Sequence, residues 1–164
     1  MAKKILHLLI TAYLGTILVC FTTYAAAHPV TKKTSPIESL TRLLEDETQK
    51  DNLRWTSLLN LASLSGKKSL KIVSKYFNHS NWLLRDAAIK ATVLLQANEL
   101  QRHIELRLKD EALTIRTAAV DAIAELNLRS SAPKLVETLF DPINYRDGRA
   151  LWIAKHILKT LKDF

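Results

Sequence analysis

The chain has 164 residues, with 24 Lys and Arg against 16 Asp and Glu and a formal net charge of +8. That length gives room for one domain with a core of its own. Three Gly and four Pro are too few for a turn-rich β architecture, while the abundance of Leu, Ala, Lys and Arg favours helix.

The first segment has the composition of an export signal. Lys3 and Lys4 form a basic start, Ile5 to Phe21 is mostly apolar, and Ala25-Ala26-Ala27 offers the small residues that a signal peptidase reads, so cleavage is expected after Ala27. The apolar run is interrupted by His7, Thr11, Tyr13 and Thr16 and falls short of the roughly 20 residues that span a bilayer. An uncleaved anchor and a lipid anchor at Cys20 are the alternatives, although the bulky Val19 stands where a small residue would precede an acylated cysteine. Cleavage would leave a chain without cysteine, hence without disulfides. It would remove two lysines and no acidic residue, taking the net charge from +8 to +6. Such a charge outside the cytoplasm suits an acidic protein or an anionic surface rather than nucleic acid. The expected organisation is a signal peptide at 1–27, a flexible linker at 28–34 and one helical domain at 35–164.

Ser35-Pro36-Ile37-Glu38 reads as a capping box with Pro at the first helical position, opening a helix to about Asp46. A second helix is expected from Leu53 to Leu64, closed by Gly66. Beyond it the arginines set a period: Arg54, Arg85 and Arg116 are evenly spaced, and Arg149 follows at a slightly longer interval. Leu58, Ile89, Val120 and Ile153 share one column after them, and Ala87-Ala88 and Ala118-Ala119 place small residues where two helix axes can approach. Each arginine helix is followed by another, with columns Val73, Ile104, Leu135 and Phe77, Leu108, Leu139 one helical turn apart on one buried stripe. Asn98 and Ser130 or Ser131 are expected to cap second helices. The last helix is expected from Arg149 to about Lys162, with Trp152 in the column of Ala88 and Ala119, covering the open end or leaving it apolar for a partner.

The segment Asp110-Glu-Ala-Leu-Thr-Ile-Arg116-Thr-Ala118-Ala119-Val120-Asp-Ala122-Ile123-Ala-Glu-Leu126 resembles the HEAT-like repeat of the phycobilisome-lyase type, an Asp, a short loop, then Val-Arg and an Ala-rich helix. The resemblance runs from about Ser35 to the C-terminus. His79 departs from it, standing where the family has its aspartate, and the loops Asp46 to Arg54 and Asp141 to Arg149 are each two residues longer. It implies an all-α fold, a right-handed α-solenoid of about three and a half antiparallel helix pairs. It also implies a structural ladder in which loop Asp and helix-start Arg bond to neighbouring loops, a role for Arg54, Arg85, Asp110, Arg116, Asp141 and Arg149, and Asp46 with them.

No Gly-rich loop, Gly-x-Ser-x-Gly elbow, His-Glu-x-x-His or cysteine pair is present, and the His-Glu pairs of the family's di-iron hydroxylases are missing. His28, His79, His103 and His156 fall on different expected elements, and a copper-chelating N-terminus at His28 would lack a second histidine beside it. The expectation is a protein without catalytic residues, cofactor or metal. A lyase-like enzyme is the remote alternative. Lys67, Lys71 and Lys75 advance by four along a second helix, with Lys68 beside them and Arg102 one repeat on from Lys71. In a HEAT-like array the second helices line the concave face, so these cations form either a partner-binding groove or an ordinary solvated face. The function expected is a non-catalytic binding or scaffolding module in the periplasm or secreted. The alternative is an assembly component acting through its ends, around Glu45 to Asp51 and Trp152.

Overall fold

The computed structural model describes residues 34–164; the expected signal peptide, Cys20 and His28 lie outside them. Ser35 opens α1 (Pro36–Glu45) with a complete capping box: Glu38 N–H donates to Ser35 Oγ at 3.1 Å and Ser35 N–H to Glu38 Oε2 at 3.0 Å. α2 (Asp51–Ser65) stops at Gly66, whose φ of 56° is a backbone conformation that glycine adopts without steric cost. A 3₁₀ turn (Gly66–Ser69) then leads into α3 (Leu70–Tyr76). The pattern repeats in α4 (Trp82–Leu94), a 3₁₀ turn (Asn98–Leu100) and α5 (Gln101–Arg107). It repeats again in α6 (Leu113–Glu125), a 3₁₀ turn (Arg129–Ser131) and α7 (Ala132–Leu139). After a further 3₁₀ turn (Pro142–Asn144), a two-stranded hairpin, β1 (Tyr145–Arg146) and β2 (Arg149–Ala150), precedes α8 (Ile153–Asp163).

Three local expectations are corrected. The second helices begin in 3₁₀ turns without side-chain caps. Asn98 caps nothing, and Ser131 turns its Oγ to Glu105 Oε1 on α5 at 2.6 Å instead. Lys67 and Lys68 therefore sit in the turn before α3 rather than on the helix. The last helix starts at Ile153, because Asp147 and Gly148, with φ of 50° and 72°, turn the chain back and pair Arg146 with Arg149 and Tyr145 with Ala150.

The result is a predominantly helical, all-α fold over Ser35–Phe164. α1 packs on α2; α2, α4, α6 and α8 pack side by side in chain order; and α3, α5 and α7 each pack on the helix that follows. The apolar columns become the core: Leu58, Val120, Ile153, Val73, Ile104 and Leu135 are fully buried, as are Phe77, Ile89 and Leu108 to within 2%. Ala87, Ala88, Ala91 and Ala119 lie at zero exposure, their small side chains allowing the helices of the first row close approach. Burial of those columns is the main stabilising term.

Turns between paired helices carry a conformational cost at the same place in two units. Gln96 and Asn127, one repeat apart, have φ of 48° and 51°. Asn tolerates this left-handed region and Gln gains nothing there, the penalty being about 1 kcal/mol. Gln96→Gly is expected to raise stability by about 0.5–1 kcal/mol, read as a higher urea midpoint at unchanged slope. Asn127→Gly is expected to change it less.

Candidate functional site

The first turn of each arginine helix delivers a guanidinium into the row of loops. Arg85 is 4% exposed and Arg116 3%. Arg85 Nη1 donates to His79 O and Ser80 O of its own loop, both at 2.9 Å, while Nη2 reaches the next loop, donating to Asp110 Oδ1 at 2.7 Å and Glu111 Oε1 at 3.2 Å. Arg116 does the same one unit on. Its Nη1 donates to Asp110 O at 2.7 Å and Glu111 O at 3.1 Å, its Nε to Asn144 Oδ1 at 2.8 Å and its Nη2 to Ile143 O at 3.2 Å. Asp110 is shared among Arg85, Arg107 Nη1 at 3.2 Å and the Ala112 N–H at 3.0 Å. Burial opposes the Arg85 charge, yet the bonds and charges of Asp110 and Glu111 carry its pKa above the ordinary guanidinium value. Burial lowers that of Arg116, whose direct partners are neutral, against the attraction of Asp110 and Asp141.

The outer members of the ladder are placed differently. Arg54 is buried, and its Nε donates to Leu44 O at 3.0 Å. Asp46 folds back on Thr48 and Gln49, and these bonds hold its carboxyl below the usual carboxylate range. Asp141 caps the turn after α7, accepting from Ile143 N–H at 3.0 Å, and Asn144 takes the place at Arg116 that the repeat reserves for it. Arg149 lies exposed in the hairpin, outside the ladder. In this longer loop the acceptor is Asn144 rather than Asp141, and Asn144 is itself held by donating to Thr138 O at 2.8 Å. A search for Asn as well as Asp at a variable distance from the arginine would have found it.

Lys67, Lys68, Lys71, Lys75 and Arg102 are all solvent-accessible, over a floor of half-buried Leu70 and buried Val73 and Phe77. Lys67 Nζ meets Glu99 Oε1 at 3.3 Å, across one repeat. Lys68, Lys71, Lys75 and Arg102 form no ion pair among the described residues. Further along this row Lys109 and Lys134 converge on Glu137 at 2.6 and 3.0 Å, and these hydrogen bonds, with the two positive charges, lower its carboxyl to about 2. Lys109 and Lys134 thus share one carboxylate, while toward α3 only Lys67 has an ion pair among the described residues.

The opposite row carries hollows between first helices. One, of about 420 Å³, is lined by Asp121, Glu125, Lys155, His156, Lys159 and Asp163, with His156 Nδ1 2.7 Å from Asp121 Oδ1. Trp152 does not enter the column of Ala88 and Ala119. It is 51% exposed at the start of α8 and stands edge-on to His156 at 5.3 Å. Among the described residues no three His, Cys, Asp or Glu converge as a metal site, and no helix is long and apolar enough to cross a membrane.

The ladder has a direct test. Arg85→Met leaves the Asp110 carboxylate buried with only Arg107 and one backbone N–H, and is expected to cost about 3–5 kcal/mol in denaturant unfolding. Arg149→Ala, outside the ladder, is expected to change stability by no more than about 0.5 kcal/mol. Neither a family model nor a curated protein matches this chain.

Proposed function

We propose that the chain is a non-catalytic protein-binding module, a HEAT-like right-handed α-solenoid of about three and a half helix pairs that engages an acidic partner through the face formed by its second helices. The observation that carries this reading is the asymmetry of charge on that face. Lys68, Lys71, Lys75 and Arg102 are solvent-accessible and without ion pairs among the described residues, while Lys109 and Lys134 near α7 share the Glu137 carboxylate. Cations that reach solvent over an apolar floor attract an acidic surface at long range. The even spacing of the arginines, the buried columns and the arginine relay support a repeat array as the scaffold. The composition of residues 1–27 supports action outside the cytoplasm after export.

Charge reversal tests this. Lys67→Glu, Lys71→Glu and Lys75→Glu together are expected to abolish crosslinked capture of acidic envelope partners while far-UV circular dichroism stays unchanged. Equal capture by both proteins would reject the lysine face as the binding surface.

A second reading, assembly through the ends of the array, is favoured by the exposure of Trp152 and Leu158 near and on α8, 51% and 55%. In that case Trp152→Ala lowers the oligomer mass measured by sedimentation, and a strictly monomeric wild-type protein at high concentration would eliminate it.

A further inference from the structure

We infer that the hollow beside Arg54 is a carboxylate-binding pocket, which accepts an Asp side chain from a protein segment where that Asp stands next to a basic residue. Arg54 is 6% exposed, so most of its side chain lies within the fold while its Nη groups open to solvent. Its Nε is satisfied by Leu44 O, and neither Nη group has a hydrogen-bond partner among the described residues. The corresponding arginines of the next two units, Arg85 and Arg116, both draw acceptors from the following loop, Asp110 in one case and Asn144 with Ile143 O in the other. Arg54 receives none.

The reason is one substitution in the repeat. His79 occupies the position that Asp110 holds one repeat later, so the loop that should offer Arg54 a carboxylate offers an imidazole. Asn81 N–H donates to His79 Nδ1 at 3.0 Å, which assigns the ring proton to Nε2. Burial first, and the Arg54 charge after it, lower the His79 pKa, so the ring is neutral at pH 7. Arg54 and His79, each with a donor that has no partner among the described residues, both line one hollow of about 250 Å³, with Lys75 and Tyr76 also on its wall. Tyr76 stacks on His79 with the rings 5.7 Å apart and 14° from parallel, which fixes the imidazole.

Glu45 and Glu47 complete the wall and decide what kind of carboxylate enters. Neither forms an ion pair with Arg54 among the described residues, and both repel a bare anion. An Asp accompanied by a cation meets both demands, its carboxylate on Arg54 and its cation toward the glutamates. Adjacent Lys and Asp already divide between a Glu and an Arg in this chain: Asp110 bonds to Arg85 while Lys109 reaches out to Glu137 on α7. The pocket shares Lys75 with the lysine face, but its two donors, Arg54 and His79, lie outside that face.

The probe is the blocked hexapeptide Leu-Lys-Asp-Glu-Ala-Leu, the chain's own segment 108–113, titrated into the full chain while the Arg54 Nε–H and His79 ring resonances are followed by NMR. Saturable shifts of both groups are expected, with binding at least about tenfold weaker when Asn replaces the Asp of the peptide. His79→Asp restores the acceptor within the chain. It is expected to raise Tm and to weaken peptide binding at least about tenfold. Sodium acetate separates the two sources of carboxylate, and equal affinity for acetate would overturn the requirement for a protein segment. Absence of saturable shifts, equal binding of the Asp and Asn peptides, or a His79→Asp protein with unchanged Tm and undiminished binding would overturn the pocket itself.

Discussion

Arginine side chains carried into the loop row impose the condition that organises this molecule. A guanidinium withdrawn from water must find acceptors in the protein, because its desolvation costs several kcal/mol and it does not deprotonate. Helix starts provide some, since the carbonyls of the loop before each arginine helix point back toward it. Arg85 and Arg116 use this supply in the same way, through His79 O and Ser80 O in one unit and Asp110 O and Glu111 O in the next. Arg85 Nη2 and Arg116 Nε and Nη2 reach the following loop and tie successive units together. Register between neighbouring helix pairs is thereby set by directed polar bonds, while the Leu, Ile and Val columns supply most of the attraction.

This division of labour separates structural charge from available charge. Arg85 and Arg116 are buried and committed, whereas Lys68, Lys71, Lys75 and Arg102 reach solvent with no ion pair among the described residues. Glu137 shows how charge on such a face is otherwise reduced, by a carboxylate held between Lys109 and Lys134. The part of the second row nearest α3 has no counterpart to Glu137 except Glu99, which touches Lys67 alone. Electrostatic attraction is concentrated at one end of the row for that reason.

Much of this is legible in the sequence wherever a side chain repeats in kind. The columns at Leu58, Ile89, Val120 and Ile153 announce their burial through spacing alone, and Ser35 with Glu38 announces the first helix through local chemistry. Elements that depend on backbone geometry are hidden. Second helices enter through 3₁₀ turns that need no capping side chain, so Asn98 and Ser131 have the residue types of caps without the role. The hairpin at Tyr145–Ala150 displaces both Arg149 and the start of the last helix, and Asn144 assumes a role that the repeat pattern assigns to Asp141. The Arg54 pocket is half visible: the departure at His79 is plain, and its consequence requires knowing where the unpartnered donors point.

Neighbour-only packing has a consequence for how the chain reaches this state. The principal contacts join helices adjacent or next but one in order, and no tight pairing among the described residues brings the start of the domain to its end. Little loop entropy is lost before contacts form, so structure can begin at any adjacent pair and spread outward. Assembly of the domain is then a short-range process, completed one neighbour at a time.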